Sequence, residues 1–247
     1  MIEVRDLKKS FGPQRVLDGV TFSIKKGEAI VIIGASGGGK SVLLKHLIGL
    51  FLPDAGEILI ENENIAPMNE RQLLTVRRKF GMLFQGAALF DSMTVEENVG
   101  FMLIREGHSK QEIDQRVAEV LEMVGLGGTQ KKKPAELSGG MRKRAGLARA
   151  VIYKPEILLY DEPTTGLDPI ASDVIDQLIA KIVEQTKVTS IAVTHDMRSA
   201  RRIGKRILML HQGKIYADLP TEEIFQSTDP VIHRFVNGIA DLKEHTF

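Results

Sequence analysis

Gly34-Ala35-Ser36-Gly37-Gly38-Gly39-Lys40-Ser41 fits the pattern G-x-x-x-x-G-K-[ST] of a phosphate-binding loop. Its flanks suit it. Glu28-Ala29-Ile30-Val31-Ile32-Ile33 is a short apolar, β-branched run and reads as a buried strand. Beyond the loop, Val42, Leu43, Leu44, Leu47 and Ile48 form a stripe at helical spacing, with Lys45 and His46 off it. Glycines let the backbone wrap with its N–H groups inward, and a helix N-terminus adds partial positive charge. In that setting Lys40 reaches the β- and γ-phosphates of a nucleotide, and the Ser41 hydroxyl holds Mg²⁺.

A second apolar run, Ile157-Leu158-Leu159-Tyr160, ends in Asp161-Glu162-Pro163. Adjacent carboxylates repel unless a cation sits nearby, so the pair suits Asp161 as a Mg²⁺ ligand and Glu162 as the base that deprotonates a water. Strands expected at 28–33, 80–84, 156–160, 189–194 and 206–211 alternate with helices and describe a mainly parallel sheet. The phosphate loop, the carboxylate pair and His195 would leave that sheet at one edge, where open α/β sheets bind ligands. Gln85 ends the strand at 80–84. Ser138-Gly139-Gly140 precedes a helical stripe and reads either as a second anion site or as an ordinary capped helix start. Asp168-Pro169 opens a further helix, with Asp as cap and Pro in the first turn.

Residues 2–24 alternate apolar and polar about Gly12-Pro13 and predict antiparallel strands. Phe11, just before that turn, reads as a surface for stacking a nucleotide base or as core. A strand is expected at Glu57–Ile60 and a basic helix over Arg71–Lys79. The loop from Gly86 to Met93 carries Leu89 and Phe90, as a docking surface or as buried residues. Thr94-x-x-Glu97 and Ser109-x-x-Glu112 are capping-box patterns, each opening a helix. The block at about 94–150 reads as a helical subdomain inserted between strands, and 221–247 as a short helical extension, within a single domain of 247 residues. With 33 basic and 32 acidic residues the bulk charge does not point to a nucleic-acid partner. The chain has no cysteine, which excludes thiol chemistry. Its apolar runs fall short of the roughly 20 residues that span a bilayer, and its first residues do not read as a signal peptide. A soluble cytoplasmic protein is expected. No Asn-Lys-x-Asp segment is present to read a guanine base.

The order of these pieces resembles the ATPase subunit of an ABC transporter along essentially the whole chain. The resemblance implies a P-loop NTPase: a RecA-like α/β core with an N-terminal antiparallel β subdomain and an inserted helical subdomain. It makes Gly34–Ser41 the Walker A loop, Gln85 the Q-loop glutamine, Leu137–Met141 the signature, Gly166-Leu167-Asp168 the D-loop and His195 the switch histidine. Catalysis then falls to Glu162, His195, Gln85 and Lys40. Nucleotide binding falls to Phe11, Val16, Gly34, Ser36, Gly37, Gly38, Gly39, Lys40, Ser41, Val42, Ser138, Gly139, Gly140 and Asp168. Ser41, Gln85 and Asp161 hold the metal, with ATP and Mg²⁺ as the implied ligands. Gln85–Ser92 and Leu137–Arg144, in which Met141 stands where the family-wide signature has glutamine, resemble the Mla and Mce-associated lipid-transport branch. That implies a head-to-tail dimer with a second copy, integral-membrane permease subunits, a lipid-binding substrate protein and a place on the cytoplasmic face of the inner membrane. Transport of another solute, or a non-transport ABC ATPase, are the alternatives.

Overall fold

The computed structural model describes residues 1–240; the end of the expected extension, 241–247, lies outside the described residues. In chain order come β1 (Ile2–Phe11), β2 (Gln14–Ile24), β3 (Ala29–Ile33), α1 (Lys40–Leu47), β4 (Ala55–Ile60), β5 (Glu63–Asn64) and α2 (Glu70–Arg77). There follow β6 (Phe80–Leu83), α3 (Val95–Arg105), α4 (Lys110–Met123), α5 (Gly139–Val151), β7 (Ile157–Asp161) and α6 (Pro169–Thr186). The last are β8 (Thr189–Val193), α7 (Met197–Ile203), β9 (Arg206–His211), β10 (Lys214–Pro220), α8 (Thr221–Phe225) and α9 (Pro230–Asn237). They divide into two compact units, residues 1–67 with 193 onward, and residues 68–192.

The first unit contains an antiparallel sheet in the order β2-β1-β4-β5. Its alternation is the one the sequence predicts: Ile2 faces Ile24, Val4 faces Phe22 and Leu7 faces Val20, all six buried. The register slips between Val4 and Leu7, where Asp6 takes φ 45°. Gly56 lies against that bulge; a Cβ there would stand 2.4 Å from Asp6 O. The same unit holds β3 with all five residues buried, parallel to β9, and β9 is antiparallel to β10. Arg206 bonds Glu28 and Asp218 and the Ser23 carbonyl, tying the start of β9 to β10 and to the end of β2. Strand β10 has no counterpart in the sequence reading. Its residues Lys214–Pro220 are nowhere fully buried, and a terminal proline is an edge-strand feature.

In the second unit β6 and β7 are parallel, Phe80 opposite Ile157 and Leu83 opposite Tyr160, with β8 on the far side of β7. Thr94 forms the full capping box expected, with its Oγ1 accepting from Glu97 N and the Glu97 carboxylate accepting from Thr94 N. Ser109 forms only half of one. It caps Glu112 N, but the Glu112 carboxylate turns to His108 Nδ1 and to Arg116, whose guanidinium outcompetes a backbone amide. Gly81 on β6 is where the helical block meets the strands: a Cβ there would lie 2.1 Å from Ala150 O and 2.8 Å from Leu158 Cδ2. Gly81→Ala is therefore expected to cost about 1–3 kcal/mol through overpacking. A urea midpoint unchanged from wild type would contradict this packing.

Candidate active site

In the first unit β3 ends at Ile33 and the chain turns at Gly34, φ 156°, where a Cβ would come within 2.4 Å of Leu210 O. Only glycine allows β9 so close. Ala35, Ser36 and Gly37 are exposed and Gly38 is half-buried. Gly39, φ 96°, packs on β2, its would-be Cβ 2.9 Å from Val16 Cγ1, which brings the expected Val16 under the loop. Lys40 is buried with its ammonium on Gly34 O at 2.8 Å and Ala35 O at 3.0 Å. Helix α1 then starts with no side-chain cap, unlike α2 to α6, which Asn69, Thr94, Ser109, Ser138 and Asp168 cap. Glycines, a buried ammonium and a helix start without a side-chain cap make a donor set that fits a polyphosphate. Ser41 and Val42 follow, half-buried.

Phe11 is 43 % exposed, so it is not a core residue. It meets Phe51 edge-on at 5.6 Å, and Phe51 meets His46 at 5.8 Å. Lys9 and Lys45 stand over these two phenyl rings. Burial holds the His46 imidazole below its usual pKa. Thr194 N donates to Ile32 O, which sets the exposed His195 beside the end of β3 and the phosphate loop. Asp196 then caps α7 through Arg198 N and Ser199 N.

In the second unit Gln85 lies two residues past Leu83 and Glu162 two past Tyr160. The parallel register therefore delivers both at one edge. Asp161 and Glu162 are buried, and Glu162 has φ 48°, a left-handed conformation disfavoured for a glutamate. Thr165 Oγ1 donates to Glu162 Oε2 at 3.1 Å. Lys143, on α5, reaches both turns. Its ammonium donates to Gln85 O at 2.5 Å and to Glu162 O at 3.1 Å. Burial lowers the Lys143 pKa to about 8, with Asp161 and Glu162 pulling it back up.

The loop after Gln85 is held just as tightly. Ala87 and Ala88 are both left-handed, φ 61° and 50°, and Arg149 donates to their two carbonyls at 2.9 and 2.7 Å. Asn98 is fully buried; its Oδ1 accepts from Phe90 N, and its amide donates to the carbonyls of Phe90, Met93 and Thr94. Phe90 is 43 % exposed and packs on Phe101, with Arg149 over its ring, while Leu89 is half-buried. The reading of both as simply buried fails for Phe90. Lys143, Arg149 and Asn98 were absent from the sequence-derived site. The one signal for Asn98 was a poor helix former one turn into a capped helix.

Ser138 caps α5 by accepting from Met141 N, and its own hydroxyl hydrogen remains to donate. Gly139 packs on Leu167 and Gly140 on Ala171, in a cleft of about 320 Å³ that Asp168 also lines. Asp168 caps α6 through Ile170 N and Ala171 N. Among the described residues no cluster of three or more His, Asp or Glu side chains is arranged to hold a metal.

A phosphate loop, paired acids after a parallel strand and a glycine-led helix start define a nucleotide-hydrolysing cassette. The ABC transporter family matches residues 17–165, and the chain belongs to that family. It is an ATPase of the ABC class. It is 46 % identical over 239 residues to the probable ribonucleotide transport ATP-binding protein mkl of Mycobacterium leprae, covering 96 % of this chain and 69 % of that protein. To the intermembrane phospholipid transport system ATP-binding protein MlaF of Haemophilus influenzae it is 38 % identical over 242 residues, covering 98 % of this chain and 92 % of that one. A dimeric ATP-binding cassette solved in a post-hydrolysis state with ADP and Pi superposes with TM-score 0.83 at 34 % identity, covering 90 % of this chain and 99 % of that chain.

Asn98→Ala should lower stability by at least about 2 kcal/mol, since it strips a buried side chain that serves four backbone groups. Amide hydrogen exchange over residues 86–94 should accelerate well beyond that of α6. Uniform acceleration across the second unit would mean that Asn98 does not specifically hold this loop.

Proposed function

We propose that the chain binds and hydrolyses ATP to drive a separate membrane permease that moves phospholipid. Support for the cargo comes from the match to the phospholipid-system relative, 38 % identical across 98 % of this chain. Met141 in the signature points the same way. A different solute is the second reading, favoured by the higher identity of the ribonucleotide-system protein. The chain acts through the permease from the cytoplasmic face; among the described residues no helix is long and apolar enough to cross a membrane. A lipid-binding substrate protein completes the assembly.

The observation that carries the ATPase mechanism is the pair of anion-ready helix starts, α1 behind Lys40 and α5 behind Ser138. One nucleotide needs both, and two copies packed head to tail supply them. Phe11 stacks the base above Val16. The loop amides of Gly34 to Gly39 cradle the phosphates together with Ser36, and Lys40 exchanges its two carbonyl partners for phosphate oxygens. Ser41, Gln85 and Asp161 would hold Mg²⁺, which when bound neutralises charge on the β- and γ-oxygens. Glu162 takes the proton of the attacking water and His195 donates to the γ-phosphate. Ser138, Gly139 and Gly140 of the second copy close the site, with Asp168 at the dimer seam. Loss of the γ-phosphate contact reopens the dimer. The loop carrying Leu89 and Phe90 offers an exposed aromatic to the permease.

Glu162→Gln should keep ATP affinity while losing roughly 10²- to 10⁴-fold in turnover, and should accumulate an ATP-bound dimer on size-exclusion chromatography. Wild-type turnover would remove Glu162 from the mechanism. The shared site has its own check. Lys40→Ala and Ser138→Arg homodimers each damage both sites, but a mixed dimer regains one intact site. Equal mixing should occlude ATP in roughly a quarter of sites. Confirmed mixed dimers with no gain over either mutant alone would sink the head-to-tail arrangement. For the cargo, the reconstituted complex should extract fluorescent phospholipid from vesicles in an ATP-dependent way and leave ribonucleotides untouched.

A further inference from the structure

We propose that Lys143 is a positioning residue for ATP hydrolysis: it fixes the turn that carries Glu162 and ties it to the strand end that carries Gln85. The proposal rests on the reading of Glu162 as the general base. Lys143 sits one turn into α5 and is buried, and its two carbonyl acceptors come from two different elements, Gln85 after β6 and Glu162 after β7. Nothing in the roles assigned above uses it.

The physical case starts from the backbone of Glu162. A glutamate at φ 48° is strained by roughly 1–3 kcal/mol and persists only where its surroundings hold it. That φ also sets the direction of the Cα–Cβ bond, and so where the carboxylate points. The Glu162 carbonyl receives the Lys143 ammonium at 3.1 Å and Thr165 N at 3.3 Å, while Thr165 Oγ1 grips the carboxylate itself. The ammonium also stands in the field of the Asp161 and Glu162 carboxylates, whose mutual repulsion it offsets. Lys143→Met removes the charge and the shorter of the two hydrogen bonds that the Glu162 carbonyl accepts here. The turn can then relax toward an ordinary φ, swinging the carboxylate away from the water it must deprotonate. Because α5 begins at Ser138–Gly140, the segment that would meet a second copy's nucleotide and the segment that sets this chain's own base belong to one rigid element.

The test is steady-state ATP hydrolysis by the full chain carrying Lys143→Met, Lys143→Arg, Glu162→Gln or Lys143→Met with Glu162→Gln, each checked for folding by its thermal midpoint. Lys143→Met should lower kcat by about 10- to 100-fold, the cost of a misplacement near 1 Å. KM and the affinity for a fluorescent ATP analogue should stay within about twofold, because the phosphate loop is untouched. Lys143→Arg, which keeps the charge and the donors, should recover part of the rate. In the Glu162→Gln background, Lys143→Met should add no further loss, since a positioning residue has nothing left to position. If Lys143→Met does not fold, Lys143→Gln replaces it, with a smaller fall in kcat at unchanged KM. A normal kcat beside an inactive Glu162→Gln protein overturns this proposal alone, as does a loss that multiplies in the double variant or appears only in KM. Wild-type turnover of Glu162→Gln overturns the general-base reading and this proposal with it.

Discussion

Lys40 closes its ammonium onto Gly34 O and Ala35 O, and Lys143 closes its own onto Gln85 O and Glu162 O. Each compact unit thus organises its functional turns around a buried cation that satisfies main-chain carbonyls at strand ends. Such carbonyls have left the sheet ladder and need donors, and an ammonium offers three on a flexible stem. The two lysines differ in what they join. Lys40 holds two consecutive carbonyls of its own loop. Lys143 joins two separate elements.

Backbone strain follows the same logic. Left-handed alanines at 87 and 88 and a left-handed glutamate at 162 would each relax in isolation. They are held by Arg149, Asn98 and Lys143, which all project from the helical block onto the loops that end β6 and β7. The helices of this unit are therefore more than packing for the strands. They set the conformation of the loop after Gln85 and of the acid that follows β7, with side chains that give up solvent to serve main-chain groups.

Much of this was legible in the residues. The strand at 29–33 declared itself by an unbroken β-branched run, α1 by its stripe, and α6 by Asp168-Pro169, because local patterning and tertiary burial agree there. The phosphate loop and the acid pair were visible because their chemistry needs fixed residue types at fixed spacing. Strand β10 was hidden by its half-exposed edge position. Lys143 was hidden for another reason: in a run of Arg142, Lys143 and Arg144 each residue looks like a solvated cation, and only the fold separates the buried one from its neighbours. Asn98 left only the faint signal of a poor helix former, because its partners are backbone groups, which carry no residue identity. The half-formed box at Ser109 shows the converse, a local motif overridden by the nearby side chains of His108 and Arg116.

The pairing of β3 with β9 bears on how the protein is made. Ile30 finds its partner at Arg206, and Gly34 is shaped by the Leu210 carbonyl, so the loop that opens the chain's chemistry is completed by residues translated long after it. At roughly 5–20 residues per second a ribosome spends on the order of ten to thirty seconds between the two. The segment 68–192 is contiguous and can collapse during that interval, whereas the first unit waits for its second half. A chain that stopped before β9 would thus lack both the strand that pairs with β3 and the carbonyl that shapes Gly34.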